Sequence, residues 1–95
     1  MLWKYYYKDL NIPKNWICES WGNDELPSFS INGFHIWVDS YDKNVRLENS
    51  KRIWNINKLA PRFIIQDQEL CEVLLSTNNF NKVIKFTSKP IIRGD

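Results

Sequence analysis

An imidazole is the side chain best suited to proton transfer near neutral pH, and this chain has one, His35. To act as a general base it would need an orienting carboxylate and a nucleophile within hydrogen-bond reach. A strand over residues 34–39 would place His35, Trp37 and Asp39 on one face, because alternate side chains of a strand share a side. The sequence ties no serine or cysteine nucleophile to that face. We therefore interpret His35 as a structural or surface residue and predict a protein without catalytic residues, not an enzyme.

The sequence also gives little support to metal or cofactor chemistry. Asp39 and Asp42 flank a predicted turn, where aspartate is an ordinary turn former. Cys18 and Cys71 lie far apart without the paired cysteine or cysteine–histidine spacing of a zinc site. The three glycines are too far apart to form a phosphate-binding loop. We predict no metal site and no cofactor.

The chain is instead rich in aromatic residues, with five tryptophans, four tyrosines and five phenylalanines among 95 residues. Each large ring removes about 150–250 Å² from water when it is buried, so a domain of this size needs only some of them for its core. Trp and Tyr are also the residues most enriched at binding hot spots. We predict binding of a protein partner, through candidates drawn from Trp21, His35, Trp37, Asp39, Tyr41 and Trp54. The alternative for Trp37 is packing in the core beneath a helix.

Charge and hydropathy give expectations about location. The formal net charge is +2, from 13 basic and 11 acidic residues that are interspersed, which is typical of an ordinary solvated surface and not of a dedicated nucleic-acid binder. The amino-terminal residues lack the apolar stretch of a signal peptide, and no run approaches the roughly 20 apolar residues of a membrane span. We expect a cytoplasmic protein with reduced thiols and no membrane association.

Residues 2–8 alternate between two sets of side chains, which predicts a half-buried strand. Trp3, Tyr5 and Tyr7 occupy one set, and Lys4 and Lys8 belong to the other. Aromatic and basic side chains on a sheet can stack on bases and contact phosphates. A small nucleic-acid-binding or regulatory module is therefore the alternative function.

The best local structural signal is the pair Asn32-Gly33, which a two-residue type I′ hairpin prefers because both central residues need positive φ. In that hairpin Ile31 faces Phe34 and Ser28 faces Trp37, so that apolar residues share one side and polar or amphipathic residues share the other. We predict antiparallel strands over residues 28–32 and 34–39.

The remaining elements are less regular. Residues 16–21 fit a strand or a helical turn, residues 62–66 predict a buried strand, and residues 51–57 predict a strand with a helix over 45–54 as the alternative. Asp67 as a cap, followed by Leu70, Val73 and Leu74 at helical spacing, predicts a helix over 67–77. Residues 80–87 fit a helix from Phe80, although a strand over 83–87 is preferred.

These elements predict an α+β fold with one small domain over residues 1–95. Its main part is an antiparallel sheet of about four to six strands, with the helix over 67–77 packed on one face. Residues 88–95 are predicted to form a flexible tail.

The passage FHIWVD at 34–39, followed by Arg46, Glu48 and the stretch RFII at 62–65, resembles small bacterial immunity proteins. These are the proteins paired with toxins of contact-dependent growth inhibition. The resemblance implies tight binding that covers or distorts a toxin's active site. The chain departs from this group in its charge, because many immunity proteins that block nucleases are acidic and this chain is slightly basic. The resemblance does not assign a binding role to any residue of this chain. The leading expectation is a cytoplasmic inhibitor that neutralises a specific protein partner.

Overall fold

A five-stranded antiparallel sheet is the centre of the computed structural model, which describes residues 3–21 and 24–92. These residues also form two α-helices and a short 3-10 helix at Trp3–Tyr5, so the predicted α+β class is confirmed. In chain order the elements are β1 (Ile17–Cys18), β2 (Ser28–Ile31), β3 (Phe34–Val38), α1 (Lys43–Ile53), β4 (Phe63–Asp67), β5 (Val73–Thr77) and α2 (Phe80–Phe86). The strands lie side by side in their order along the chain.

The hairpin of β2 and β3 forms as its turn residues require. Asn32 has φ 54° and Gly33 has φ 88°, so both adopt the left-handed conformation of a type I′ turn. Ile31 pairs with Phe34 and Ser28 pairs with Trp37. The predicted turn and register are confirmed, and so is the buried strand over 62–66, which corresponds to β4.

The hydrophobic core lies on one face of the sheet. Phe34, Ile36 and Val38 alternate along β3 toward this face, and Phe63 and Ile65 of β4 join them. The amino-terminal segment and α2 cover these side chains from above. The covering residues include Tyr7, Leu10, Ile12, Trp16, Phe80 and Val83.

The helix predicted over residues 67–77 is wrong, because the capping signal produces only one turn. The Asp67 carboxylate accepts hydrogen bonds from the backbone N–H groups of Glu69 and Leu70, as a helix cap would. The next residue, Cys71, has φ 59° and ends the turn. Strand β5 follows and pairs with β4. The apolar residues at helical spacing are exposed, with Leu70 64% and Val73 58% accessible.

The strands predicted over 51–57 and 83–87 are also wrong, and in both places the alternative helix is found. Helix α1 begins after Asp42, whose side chain accepts hydrogen bonds from the N–H groups of Asn44 and Val45. Its buried residues are Asn49 and Ser50, so it has no apolar stripe that could reveal it. Helix α2 begins after Asn79, which caps it in the same way. Residues 16–21, left open between strand and turn, contain the short strand β1.

The amino-terminal strand predicted over residues 2–8 is replaced by the 3-10 helix and turns, with residue 2 outside the described part. The buried Arg62 guanidinium holds this segment in place. Its Nη atoms donate to both Asp9 carboxylate oxygens at 2.8 and 2.7 Å, and Nη2 also donates to the Tyr6 carbonyl at 2.8 Å. Its Nε donates to the Asp39 carbonyl at 3.0 Å. One side chain therefore joins the amino-terminal segment to the ends of β3 and β4.

The last described residues return to the sheet at the hairpin. The Ile91 N–H donates to the Asn32 carbonyl at 2.9 Å, and the Asn32 side-chain amide donates to the Thr87 carbonyl at 2.8 Å. Ile91 also packs against the edge of the core. Residues 93–95 of the predicted tail lie outside the described residues.

We predict that Arg62→Lys lowers the free energy of unfolding by about 2 kcal/mol, because an ammonium cannot reproduce the forked contacts with Asp9 and leaves backbone carbonyls unpaired. Urea unfolding measures the change. Arg52→Lys is the control: Arg52 is exposed, pairs with Glu25 and donates one hydrogen bond to Asn49, so its replacement should lower stability by less than about 1 kcal/mol. Equal losses in both variants would contradict the role given to Arg62.

A second prediction concerns acid stability. The hydrogen bonds from Arg62 hold the pKa of Asp9 below its usual value of 3.8. The contribution of this pair is therefore complete above pH 3.8 and is lost as the pH falls through the lower pKa of the folded state. In Asp9→Asn this part of the acid dependence should disappear. Unfolding free energies of both proteins, measured across the acid range, should converge at the lowest pH; a constant difference would refute the prediction.

Candidate functional site

The face of the sheet opposite the core, here called the second face, carries two rows of side chains that run across the strands. Direct cross-strand partners share a side of the sheet. The first row is Ile17, Ser30, His35, Gln66 and Val73, and the second row is Ser28, Trp37, Ile64 and Ser76. His35 and Trp37 thus project from the central strand onto this face, as the sequence predicts.

The rings of His35 and Trp37 are held in place by their neighbours. Their centroids lie 4.6 Å apart with the planes tilted by 46°. The Trp37 indole donates its Nε1–H to the Gln66 side-chain oxygen at 2.7 Å, and the Gln66 amide donates to the Cys71 carbonyl at 3.2 Å. A ring fixed before binding loses little conformational entropy when a partner arrives.

Burial favours the neutral form of the His35 imidazole. Its Nε2 atom is buried and has no hydrogen-bond partner among the residues described. Burial lowers the pKa of His35 below 6.5, and the negative charges of Glu19 and Asp24 only partly oppose this effect. A neutral imidazole can pack against the Trp37 ring and accept or donate a hydrogen bond.

Trp37 and Trp54 both line a groove of about 300 Å³. We call it the Trp37–Trp54 groove; the residues that line it are Asp24, Glu25, Leu26, Trp37, Ile53 and Trp54. Trp54 follows the last residue of α1, and its N–H donates to the Ser50 carbonyl. Asn55, at φ 56°, then turns the chain away. The end of the helix thus sets the position of Trp54, which remains 39% exposed.

The rim of this groove is acidic although the whole chain has a formal charge of +2. Asp24 and Glu25 both line it. Arg52 pairs with Glu25, so one of the two negative charges is balanced locally. The remaining carboxylate, Asp24, accepts a hydrogen bond from the Trp21 N–H at 2.9 Å. The groove combines two indole rings with a net negative rim.

The other predicted partner-binding residues lie elsewhere. Trp21 is 74% exposed and lies beside Cys18 and Glu19, next to the groove but not in its lining. Tyr41 lies at the amino-terminal segment, where its N–H donates to the Tyr6 carbonyl and the Lys8 ammonium lies 4.5 Å from its ring centroid. The structure brings together Trp37 with His35 and with Trp54, and places Tyr41 apart from them.

Asp39 is not on the surface, so the expectation that it joins His35 and Trp37 there is wrong. It is 1% exposed, and its Oδ1 accepts hydrogen bonds from the Ser40 N–H and the Asn49 amide at 2.7 and 2.9 Å. Burial raises the pKa of Asp39, and these hydrogen bonds oppose the rise. The alternation of β3 side chains between the two faces ends at Val38, and Asp39 connects the sheet to α1.

Packing of Trp37 beneath a helix over 67–77 is also excluded, because no such helix forms. Trp37 instead contacts the groove and Gln66. Four other groove residues, Asp24, Glu25, Leu26 and Ile53, were not among the predicted candidates. The first three lie in a loop, and Ile53 ends a helix without an apolar stripe, so none of these positions carries a local signal.

The aromatic platform proposed for nucleic acid does not form on the sheet. Trp3 and Tyr5 belong to the 3-10 helix, and Tyr7 packs against the core ring of Phe29. The Lys8 ammonium lies over the Tyr5 ring instead of standing free beside a strand. Nucleic-acid binding stays a prediction, but the strand of aromatic and basic residues that suggested it does not form.

A scan against models of known protein families, a search of curated proteins and a search of solved structures each gave no match to this chain. Within residues 3–21 and 24–92 there is no cluster of three or more His, Cys, Asp or Glu side chains able to hold a metal ion. In the same part of the chain no helix has both the length and the apolar character needed to cross a membrane.

We predict that the imidazole of His35 titrates below pH 6.5 and that its burial makes stability sensitive to mild acid. The unfolded chain takes up a proton near pH 6.5 while the folded protein does not, so the free energy of unfolding is largest above that pH and falls as the pH decreases toward the folded pKa. His35→Phe keeps a ring against Trp37 and should remove this fall. Nuclear magnetic resonance titration of the imidazole measures the midpoint directly; a value at or above 6.5 would be inconsistent with the burial described.

Proposed function

We propose that this chain is a cytoplasmic inhibitor that binds one specific protein through the Trp37–Trp54 groove, and that the partner is a bacterial toxin neutralised as immunity proteins neutralise theirs. The observation that carries the proposal is the groove itself: two indole rings outside the core, one fixed by a hydrogen bond, beside a rim of carboxylates. The toxin identity rests on the sequence resemblance alone.

Energetics favour a protein ligand in the groove. Trp37 and Trp54 already lose part of their contact with water, and a side chain inserted between them would bury the rest without ordering a flexible loop. Leu26 and Ile53 add an apolar floor. An apolar or aromatic residue of the partner is the chemistry that fits this lining, because hot spots consist of such anchors in desolvated pockets.

Electrostatics favour a partner that is basic around that anchor. Asp24 and Glu25 lie on the rim, where charges affect association rate and specificity more than final affinity. A Lys or Arg beside the partner's anchor would face Asp24, because Glu25 is already paired with Arg52. This local polarity supports the proposal, since a slightly basic chain carries a net negative charge at its groove.

The test of the function begins with the genes that neighbour the one for this chain. Each is expressed alone and together with the chain in a bacterial host, and growth is followed. We expect one neighbour to stop growth alone and to be harmless with this chain, and its product to copurify with the chain. If no neighbour's product is both toxic and bound, the inhibitor proposal fails.

With that partner in hand, we predict that Trp54→Ala weakens binding by about 2 kcal/mol, roughly 30-fold in Kd, because it removes one wall of the groove. Tyr5→Ala is the matched control, since Tyr5 is also an exposed ring but lies outside the groove, and it should bind as the unchanged chain does. Calorimetry measures Kd, and thermal unfolding checks that both variants fold. Unchanged affinity in Trp54→Ala would remove the groove from the interface.

The same titrations separate the alternative class. A nucleic-acid module would bind single- or double-stranded oligonucleotides with an affinity that falls steeply with salt. The acidic rim predicts no such binding at the groove. Tight, salt-sensitive oligonucleotide binding without any protein partner would replace the inhibitor proposal with the nucleic-acid one.

A further inference from the structure

We propose that two copies of this chain associate by antiparallel pairing of their β5 strands, which extends the sheet across a two-fold axis. This inference uses a different part of the surface from the Trp37–Trp54 groove and does not depend on the proposed function. It starts from the position of β5 at the end of the strand order, where it pairs with β4 on one side only.

Strand β5 lacks the chemical protections that edge strands usually carry. Proteins block unwanted pairing with charged residues, especially lysine, or with proline in the edge strand. The residues Val73–Thr77 include neither. The protection present is a short length and a bulge, since the register with β4 shifts between Ile65 and Gln66. The opposite edge, β1, has only two residues and offers little to pair with.

Apolar surface continues from this edge into a groove of about 630 Å³, between the turn before β5 and the chain after α2. Its lining includes four large apolar side chains, Leu70, Leu74, Phe86 and Ile92. All four are exposed, as is Val73 on the strand itself. Contiguous apolar surface of this kind beside an unpaired strand marks an interaction site.

A second copy is the occupant whose charges fit. In an antiparallel pair centred on Leu75, which then faces its own copy, every residue of β5 faces an uncharged residue of the second copy, so no like charges oppose. Glu72 precedes the strand, and Lys82 lies in the first turn of α2 after it; both are exposed. Antiparallel pairing brings Glu72 of one copy toward Lys82 of the other, and the two-fold axis repeats the contact. An isologous interface therefore gains two complementary charge pairs.

The full chain should show a concentration-dependent equilibrium between monomer and dimer in analytical ultracentrifugation. Reducing agent is present throughout, because Cys18 and Cys71 are exposed free thiols that could cross-link copies. Leu74→Lys places a charge at the paired edge and should raise the dimer dissociation constant about tenfold or more. Ile17→Lys, an exposed apolar residue of the other edge strand, is the matched control and should leave the dimer unchanged.

A charge exchange tests the orientation and does not depend on how Leu74→Lys folds. Glu72→Lys and Lys82→Glu should each weaken the dimer, and the double variant should restore it. A chain that stays monomeric at all concentrations, or a dimer weakened equally by Ile17→Lys, would overturn the proposal. So would single charge variants without effect, or pairing of β5 only with another protein or with a lipid surface.

Discussion

The Arg62 guanidinium is the contact on which the arrangement of the other elements depends. It donates to the amino-terminal segment through Asp9 and the Tyr6 carbonyl, and to the end of β3 through the Asp39 carbonyl. The buried carboxylate of Asp39 then accepts a hydrogen bond from Asn49 in α1. These contacts hold Asn49, in the second half of α1, against the end of β3. Trp54 follows α1 and lines the groove with Trp37, so a polar network outside the groove helps to position the candidate site.

The aromatic residues on the two faces of the sheet have different roles. Tyr7, Trp16 and Phe29 contact one another or the core on the covered face, where their role is stability. Trp37 and Trp54 lie on the other side, where α1 contributes its end and not a whole apolar stripe. A small domain can bury only about 60–65% of its unfolded surface. The rings of Trp37 and Trp54 are not covered by the core, so a partner can contact them.

The hairpin and β4 could be predicted because their signals are local: Asn32-Gly33 demands its turn, and an apolar run predicts a buried strand. The sequence predicts the helices only as alternatives to strands. Helix α1 buries polar residues that bond to Asp39 and to the Ala60 N–H, ten residues away in each case, so it has no apolar stripe that would favour a helix over a strand. The helix predicted after Asp67 failed because one left-handed residue followed a correct cap. At the site, Trp37 was predictable from alternation along β3, whereas its pairing with Trp54 depends on the three-dimensional path of α1.

The order of the strands has a consequence for how the chain reaches this structure. Each strand pairs with the strand next to it in sequence. The strands can therefore add one after another to the hairpin, and each addition closes only the loop between two consecutive strands. The contacts of the amino-terminal segment and of the residues after α2 are exceptions. They include Arg62 with Asp9, which are 53 residues apart, and Asn32 with Thr87, which are 55 apart. We expect them to form late on the folding pathway and to hold the two ends of the chain against the sheet. Their breakage would then govern the rate of unfolding more than the rate of folding.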